Sequence, residues 1–490
     1  MQRKNLTLVI VSLLVVVLSV SLAYFTAQII GKGKDVSVTS TNLQIVFTDT
    51  DGEIAGADIE PGWQKTKTFT VQNNSKSEYK YNIVIKDLLN TFVTEGYLQY
   101  KITSTNGGYN MTEFKDIPKS SIATDTILAY SVVIPNGVTQ SYTIEFKYAN
   151  DESVDQSDDM GKKLSGTLFI TEGTEPTLLS QLLVDKSTVL TRTDFGSALT
   201  DDNTNTLYTS TEDSKTVYYF AGNATDNWVK FGKNASNQDL YWRIIRTNSD
   251  GSVRLLYHGT STTATDAYIG TSKFNSSSNN IAYVSYMYGS LGSISNARTN
   301  QTNSSTIKTT IDNWYAKNMT SYTKYLSTTA VYCNDRSTSD NKYFGAYTRL
   351  DTNKTPTYDC EATEDKFTVD TSTGNGKLTY PIALMTADEI SFAGGVYGTN
   401  APTWYYYNSA NGSSTGDIWW WLLSPYYWGG SDAYVFRVYG SSIPGRLYDY
   451  IVNYTYGVRP AVSLKSCVKT SGGNGSASEP YTIEESTSGC

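Results

Sequence analysis

The chain of 490 residues holds a single histidine, His258, within "RLLYHGTS". Any Ser-His-Asp triad or imidazole general base would have to use that one residue. No serine, cysteine or carboxylate pattern supplies it with partners, so His258 reads as a structural or surface residue. The four cysteines, Cys333, Cys360, Cys467 and Cys490, lack the CxxC spacing of a zinc or dithiol centre. They suit disulfides; four cysteines allow three pairings, and the pairs nearest in sequence are Cys333–Cys360 and Cys467–Cys490. Asp312 and the Asp388/Glu389 pair fall where helices begin, and carboxylates there meet unpaired N–H groups. "GGNGS" has no lysine and helix behind it, so it is no phosphate loop. The expectation is a protein with no catalytic residues, no metal ligands and no cofactor.

What the chain concentrates is aromatic surface. From Ile418 to Gly440 it reads "IWWWLLSPYYWGGSDAYVFRVYG", with four tryptophans and four tyrosines. Residues 426–456 hold eight tyrosines, four glycines and three serines. Tyrosine supplies large amphipathic contact area at low entropic cost, and glycine and serine make adaptable loops; paratopes use this mixture. The residues expected to touch a ligand begin with Tyr426, Tyr427, Trp428 and Asp432. They continue through Tyr434, Phe436, Tyr439 and Ser441, and end with Arg446, Tyr448, Tyr450, Asn453 and Tyr454. Small or β-branched Ala433, Val435 and Val438 are expected to point inward, with Tyr434, Phe436 and Tyr439 outward. Three consecutive tryptophans cannot share one strand face, so Trp419 or Trp421, with Leu422, is assigned to the core. Arg459 in "GVRP" reads as a buried or half-buried structural arginine rather than an outward ligand contact. The net charge of -8 leaves no basic footprint for nucleic acid.

Several elements must position these residues. Residues 36–173 carry seven short strand-like runs, among them "TKTFTVQN", "YKYNIVIKD" and "QSYTIEFKY", separated by turns such as "PNG". In the last, Tyr142, Ile144 and Phe146 alternate onto one face. The spacing predicts an all-β sandwich. Residues 174–215 read as a linker with a short helix around Leu178–Leu183, then polar loop. Residues 216–490 read as an α+β domain. "YWRIIRTNSDGSVRLLYHG" predicts a hairpin turning at "NSDG". "TIKTTIDNWYAKNMTSYTKYL" predicts an amphipathic helix over 306–326, entered from Ser304 or Ser305. "TADEISFAGG" has the capping-box spacing Thr386/Glu389, with glycines to end the helix.

The chain opens "MQRKNLTLVIVSLLVVVLSVSLAYFTAQIIGKGKD". Arg3 and Lys4 precede an uncharged run, Leu6–Ala27, with Ser21-Leu22-Ala23 inside it. Residues 1–30 are therefore either a cleaved signal peptide or an N-terminal membrane anchor. Either places the remainder outside the membrane, where disulfides persist. "LSVSLAYFTA", "DIEPGWQKTKTFTVQNNSKSEYKYNIVI" and "GKKLSGTLFI" resemble the TasA/camelysin type of secreted protein. That resemblance implies a jelly-roll-like sandwich able to form homo-polymers.

Further along, "YWRIIRTNSDGSVRLLYHGTS", "FGAYTRL", "YPIALMTADEISFAGGVYG", "WWWLLSP" and "YGVRPAVSLKS" resemble bacterial surface proteins. The "SP…GVRPA" frame is similar to the C-type-lectin-like, formylglycine-generating-enzyme-type domain in the variable proteins of diversity-generating retroelements. In those, adenine-directed mutagenesis rewrites a ligand-binding face, and the codons it produces cannot encode Lys, Glu, Gln, Met or Trp. No Lys, Glu, Gln or Met occurs in residues 426–456, where the chain's average composition gives about four; Trp428 departs from the pattern. The calcium-binding strings EPN, QPD and WND are absent, as is any identifiable pair of reactive cysteines. The resemblance implies an extracellular, cell-surface protein that binds a protein or glycan on a cell or phage. The competing expectation is a fibre or matrix subunit whose aromatic face is an assembly contact.

Overall fold

The computed structural model describes residues 35–40, 43–49, 54–55, 59–186, 188–264, 267–405, 419–440, 443, 445–486 and 490, with the backbone alone for those before 59. The expected signal or anchor, residues 1–30, lies outside the described residues. Among the described residues no helix is long and apolar enough to cross a membrane. The chain divides into two units, Met1–Glu175 and Pro176–Cys490.

Among its described residues the first unit consists of strands and one 3-10 turn, Ser157–Asp159. In order the strands are β1 Asp35–Ser40, β2 Leu43–Asp49, β3 Ile54–Ala55, β4 Gln64–Asn73, β5 Tyr79–Asn90, β6 Leu98–Ser104, β7 Lys115–Asp116, β8 Ser120–Ile134, β9 Thr139–Tyr148 and β10 Leu164–Glu172. They form two sheets, β1-β2-β4-β9-β6-β7 and β3-β10-β5-β8. Alternation decides which faces meet. In β9, Tyr142, Ile144 and Phe146 are buried while Ser141 and Glu145 are exposed. Each such side chain contributes about 1.5–3 kcal/mol on burial. β4 and β9 supply Phe69, Val71 and Ile144 to a core shared with Ile83 and Ile85 of β5 and Leu168 of β10. Phe69 stacks on Tyr142 at 4.6 Å, and the Tyr142 and Tyr81 hydroxyls meet in the same interior.

The second unit begins earlier than the sequence reading placed it. The stretch read as linker and loop is structured. Helix α1, Leu178–Asp185, is capped by Thr177, and three strands follow: β11 Thr188–Thr191, β12 Thr206–Glu212 and β13 Lys215–Tyr219. β11 pairs in parallel with β12, and β12 pairs antiparallel with β13. The run "TLYTSTE" is polar in composition, but Leu207 and Tyr208 are buried and its threonines favour strand.

The same sheet takes in β14 Trp228–Lys233, β15 Asp239–Thr247 and β16 Val253–Gly259. β15 and β16 form the hairpin expected at "NSDG", closed by Asn248 N–H to Ser252 O at 2.8 Å with Gly251 at φ 79°. After β17 Thr271–Lys273 come three small elements: β18 Met287–Tyr288, α2 Ile294–Arg298 and β19 Asn303–Ser304, which pairs with β18. Helix α3 follows, Thr306–Asn318. Its cap is Ser305, whose Oγ accepts from Lys308 N–H at 3.2 Å. It stops eight residues short of the expected end, because the chain tightens into a 3-10 turn over Thr320–Tyr325.

β20 Tyr332–Cys333 pairs with β21 Lys366–Phe367. β22 Ile382–Leu384 leads into helix α4, Ala387–Phe392, and the Thr386/Glu389 capping box is fully formed. The remaining strands are β23 Trp420–Trp428, β24 Ala433–Val438, β25 Leu447–Ile451, β26 Thr455–Gly457, β27 Pro460–Leu464, β28 Thr470–Gly472 and β29 Tyr481–Ile483. β27 joins the large sheet between β16 and β22, and β29 and β28 extend it beyond β14. Helices are few and short, so the unit expected as α+β is predominantly β. Both disulfides take the nearest-in-sequence pairing, Cys333–Cys360 and Cys467–Cys490, with Cα–Cα distances of 5.8 and 5.7 Å. They fit an oxidising environment.

Candidate recognition face

Five strands, in the order β17-β26-β23-β24-β25, carry the aromatic stretch. Pairing of β23 with β24 runs Trp421↔Arg437 and then Pro425↔Val435, a step of four residues against two. This bulge re-aims the chain where Pro425 supplies no N–H. Before it, Trp420, Trp421, Leu422 and Leu423 are fully buried; after it, Tyr426, Tyr427 and Trp428 are half-buried. Gly429 and Gly430, the latter at φ 87°, turn the chain into β24. Asp432 serves this turn, since its carboxylate accepts from Ser278 Oγ at 2.6 Å and Ser431 Oγ at 3.0 Å.

On one face, the ring of Tyr397 lies between Tyr426 and Tyr448, with centroids 5.3 and 5.1 Å away and planes within 13°. Its hydroxyl donates to Asp449 Oδ1 at 2.7 Å and lies 2.7 Å from the Tyr426 hydroxyl. Tyr426 in turn reaches Asp351 Oδ2 at 3.5 Å. Tyr427 continues the surface toward Tyr434 at 5.7 Å and toward Tyr343, which stacks on Tyr347 at 4.2 Å. The Lys342 ammonium stands over Tyr343 and Tyr427 at 5.4 and 5.6 Å.

A second cluster, joined to the first where Tyr439 meets Tyr448 at 5.6 Å, is organised by Arg437. Its guanidinium is buried among Trp419, Tyr450, Tyr439 and Tyr456, at 3.9, 4.1, 4.5 and 4.5 Å. It donates to the Tyr439 hydroxyl at 3.0 Å, and burial lowers its pKa.

These positions correct two outward assignments. Phe436 is fully buried, edge-on to Tyr426 at 5.0 Å, and belongs to the core. Tyr439 is 9 % exposed and holds Arg437 and Trp419. Strict alternation would send Phe436 outward only if that face were solvent, whereas Tyr397 and Tyr426 cover it. Ala433, Val435 and Val438 are buried. Arg446 turns to Asn400 Oδ1 at 3.2 Å. Tyr450, Asn453 and Tyr454 lie at the end of β25, where Tyr454 is 48 % exposed and packs edge-on to Tyr450. Ser441 lies outside the described residues. Sequence reading missed Tyr343, Tyr347, Asp351 and Tyr397. The i, i+4 tyrosines in "NKYFGAYT" were a signal of one helical face; nothing local marked Tyr397.

Burial raises the Asp449 carboxyl to about 6, against which the Tyr397 hydroxyl acts. A folded-state pKa above the unfolded value means the ionised form is penalised by folding. The contribution to stability is full below the ordinary value of 3.8 and is lost as pH rises through about 6. Asp449→Asn should therefore stabilise the protein at pH 8 by about 1–2 kcal/mol after solvent screening and change almost nothing at about pH 3, below the unfolded value. Urea unfolding at the two pH values checks this; an equal gain at both would show the charge is irrelevant.

Other charged groups cluster in the interior. Glu389 of α4 accepts from Arg246 Nε at 2.9 Å and Arg254 Nη1 at 2.6 Å, and Arg246 also bonds Glu212 at 2.8 Å. Burial acts to raise the Glu389 pKa, but Arg254 and Arg246 outweigh it and hold the carboxyl low. Arg349 joins Asp335 and Asp388 at 2.7 and 2.9 Å. The cavity beside them is about 20 Å³, too small for an organic substrate. His258 is buried edge-on to Trp228 at 4.4 Å. Arg459 is buried over Trp420, its guanidinium turned to Tyr257 O. Among the described residues no group of three or more His, Cys, Asp or Glu side chains is placed to hold a metal ion. No family model, curated protein or solved structure matches this chain.

Proposed function

We propose that the chain is an extracellular surface protein whose second unit binds a protein or glycan through the tyrosine face of the five-stranded sheet. The observation that carries this is the convergence of partly exposed rings from separate stretches of chain. Tyr343 and Tyr347, Tyr397, Tyr426 and Tyr427, Tyr434 and Tyr448 form one surface, interspersed with hydroxyls and the Asp449 carboxyl. Rigid amphipathic rings flanked by adaptable polar groups suit recognition. The buried arginine and tryptophans behind them form a rigid support, which limits the entropy lost on binding. The resemblance to lectin-like variable proteins supports the same reading, with residues 426–456 as the diversified stretch and the first unit as the presenting sandwich.

The full chain carrying Tyr427→Ala, Tyr434→Ala and Tyr448→Ala tests the site. On glycan arrays and whole-cell panels that retain the native protein, the variant should bind about 100-fold more weakly or worse, with its near-ultraviolet circular dichroism preserved. Tyr439 is left intact because it supports Arg437. Undiminished retention would remove the face from consideration. For diversification, the decisive observation is a near-copy of codons 426–456, differing at adenines, beside a reverse transcriptase.

A further inference from the structure

Lys186 follows α1 and Asp226 precedes β14; their side chains meet in the interior of the second unit. Nζ lies 2.8 Å from Asp226 Oδ2 and 2.9 Å from the Asp226 backbone carbonyl. The side chains are 1 % and 7 % exposed. Four other lysine–carboxylate pairs each have at least one partner more exposed than either of these. Lys308–Asp312 is 1 % and 19 %, Lys80–Glu175 is 49 % and 39 %, Lys119–Glu95 is 50 % and 26 %, and Lys233–Asp239 is 47 % and 37 %. The Phe220 and Tyr481 rings flank the ammonium, each 5.6 Å from Nζ, and the Tyr481 hydroxyl is engaged with Asp185. The two carboxylate oxygens are unlike. Oδ2 accepts the Asn205 backbone N–H at 2.7 Å, whereas Oδ1 is buried with no partner among the described residues. A buried ion pair with one oxygen unsatisfied is costly as charges.

We propose that Lys186 and Asp226 condense to an intramolecular isopeptide bond. In the first step a proton passes from Nζ to Asp226 Oδ1, leaving an amine whose lone pair faces the carboxyl carbon. The Nζ lone pair attacks Asp226 Cγ, and negative charge develops on Oδ2, where the Asn205 N–H already points. A second proton moves from nitrogen to Oδ1, the oxygen that nothing holds. The Cγ–Oδ1 bond breaks, water leaves, and Oδ2 remains as the amide oxygen. Atoms and charge balance without oxidant, metal or cofactor. The fold supplies the proximity that makes an otherwise slow condensation effectively unimolecular. The product joins the end of α1 to the start of β14 with a bond that reduction does not open.

Peptide mapping of the reduced, denatured full chain tests this directly. Trypsin cleaves after a free lysine, so an unmodified chain yields Leu164–Lys186 and Thr216–Lys230 as separate linear peptides. The expected result is a branched species in which Leu164–Arg192, uncut at Lys186, is joined to Thr216–Lys230, lighter than their sum by one water. Lys186→Arg should abolish the branch and restore full mass to the region. Recovery of the two linear peptides in full yield from the native chain would overturn the proposal, as would a branch that persists in Lys186→Arg.

Discussion

Glu389→Ala lowers the unfolding free energy by about 3–5 kcal/mol, measured as a fall in urea midpoint at constant slope. Two functions converge on this carboxylate. As the third residue of α4 it closes the capping box, with Oε2 accepting the Thr386 N–H at 3.0 Å. As a counter-ion it stands between Arg246 and Arg254, both buried and both bonded to Oε1. Alanine leaves two interior guanidiniums against the single carboxylate of Glu212. The capping loss alone is about 1 kcal/mol, so the charge imbalance dominates. Glu389→Gln retains a side chain that can reach back to the cap and should lose less than alanine. If alanine costs no more than a cap, the arginines have found other partners and the network is not a unit.

Asp365→Ala should be comparably destabilising, about 3–5 kcal/mol, by the same unfolding measurement. Asp365 is 1 % exposed and accepts from Arg336 Nε at 2.7 Å, from the Arg336 backbone N–H at 2.9 Å and from Arg298 Nη2 at 2.5 Å. Arg336 is fully buried and reaches Gln301, Ser285 and two backbone carbonyls. It ties the β18–α2–β19 region to the segment entering β21. Those neutral acceptors solvate the guanidinium but do not cancel its charge. Burial, helped by the Arg298 charge, holds its pKa down, and Asp365 opposes that. Asp365→Asn keeps two acceptor contacts and should recover part of the loss. An alanine variant as stable as the native protein would show that the neutral acceptors suffice.

Much of the local structure was readable because it rests on short-range rules. Strand-like runs between turn residues, several alternating with period two, located seven strands of the first unit; the turn chemistry of "NSDG" located the hairpin, and Thr386/Glu389 announced their helix. The four cysteines left three pairings open, and the fold takes the one nearest in sequence. Readings that relied on polarity failed where tertiary pairing outweighed it. The stretch 206–219 is rich in threonine, serine and charge, yet it joins the large sheet because neighbouring strands satisfy its backbone.

The aromatic stretch shows both limits. Its composition and the break at Ser424–Pro425 were enough to separate a tryptophan-rich core segment from a tyrosine-rich face. Which aromatics face solvent depended on chain that lies far away in sequence. Tyr397 and Tyr426 cover Phe436; Arg437 draws Tyr439 inward. The sequence by itself determined many individual strands, the caps, turns and the concentration of recognition-type side chains, since these depend on residues within a few positions of one another. The tertiary structure alone decided the membership of the tyrosine surface, the two buried charge networks and the meeting of Lys186 with Asp226. Each of these depends on burial and on contacts between distant segments, and neither is encoded in local spacing.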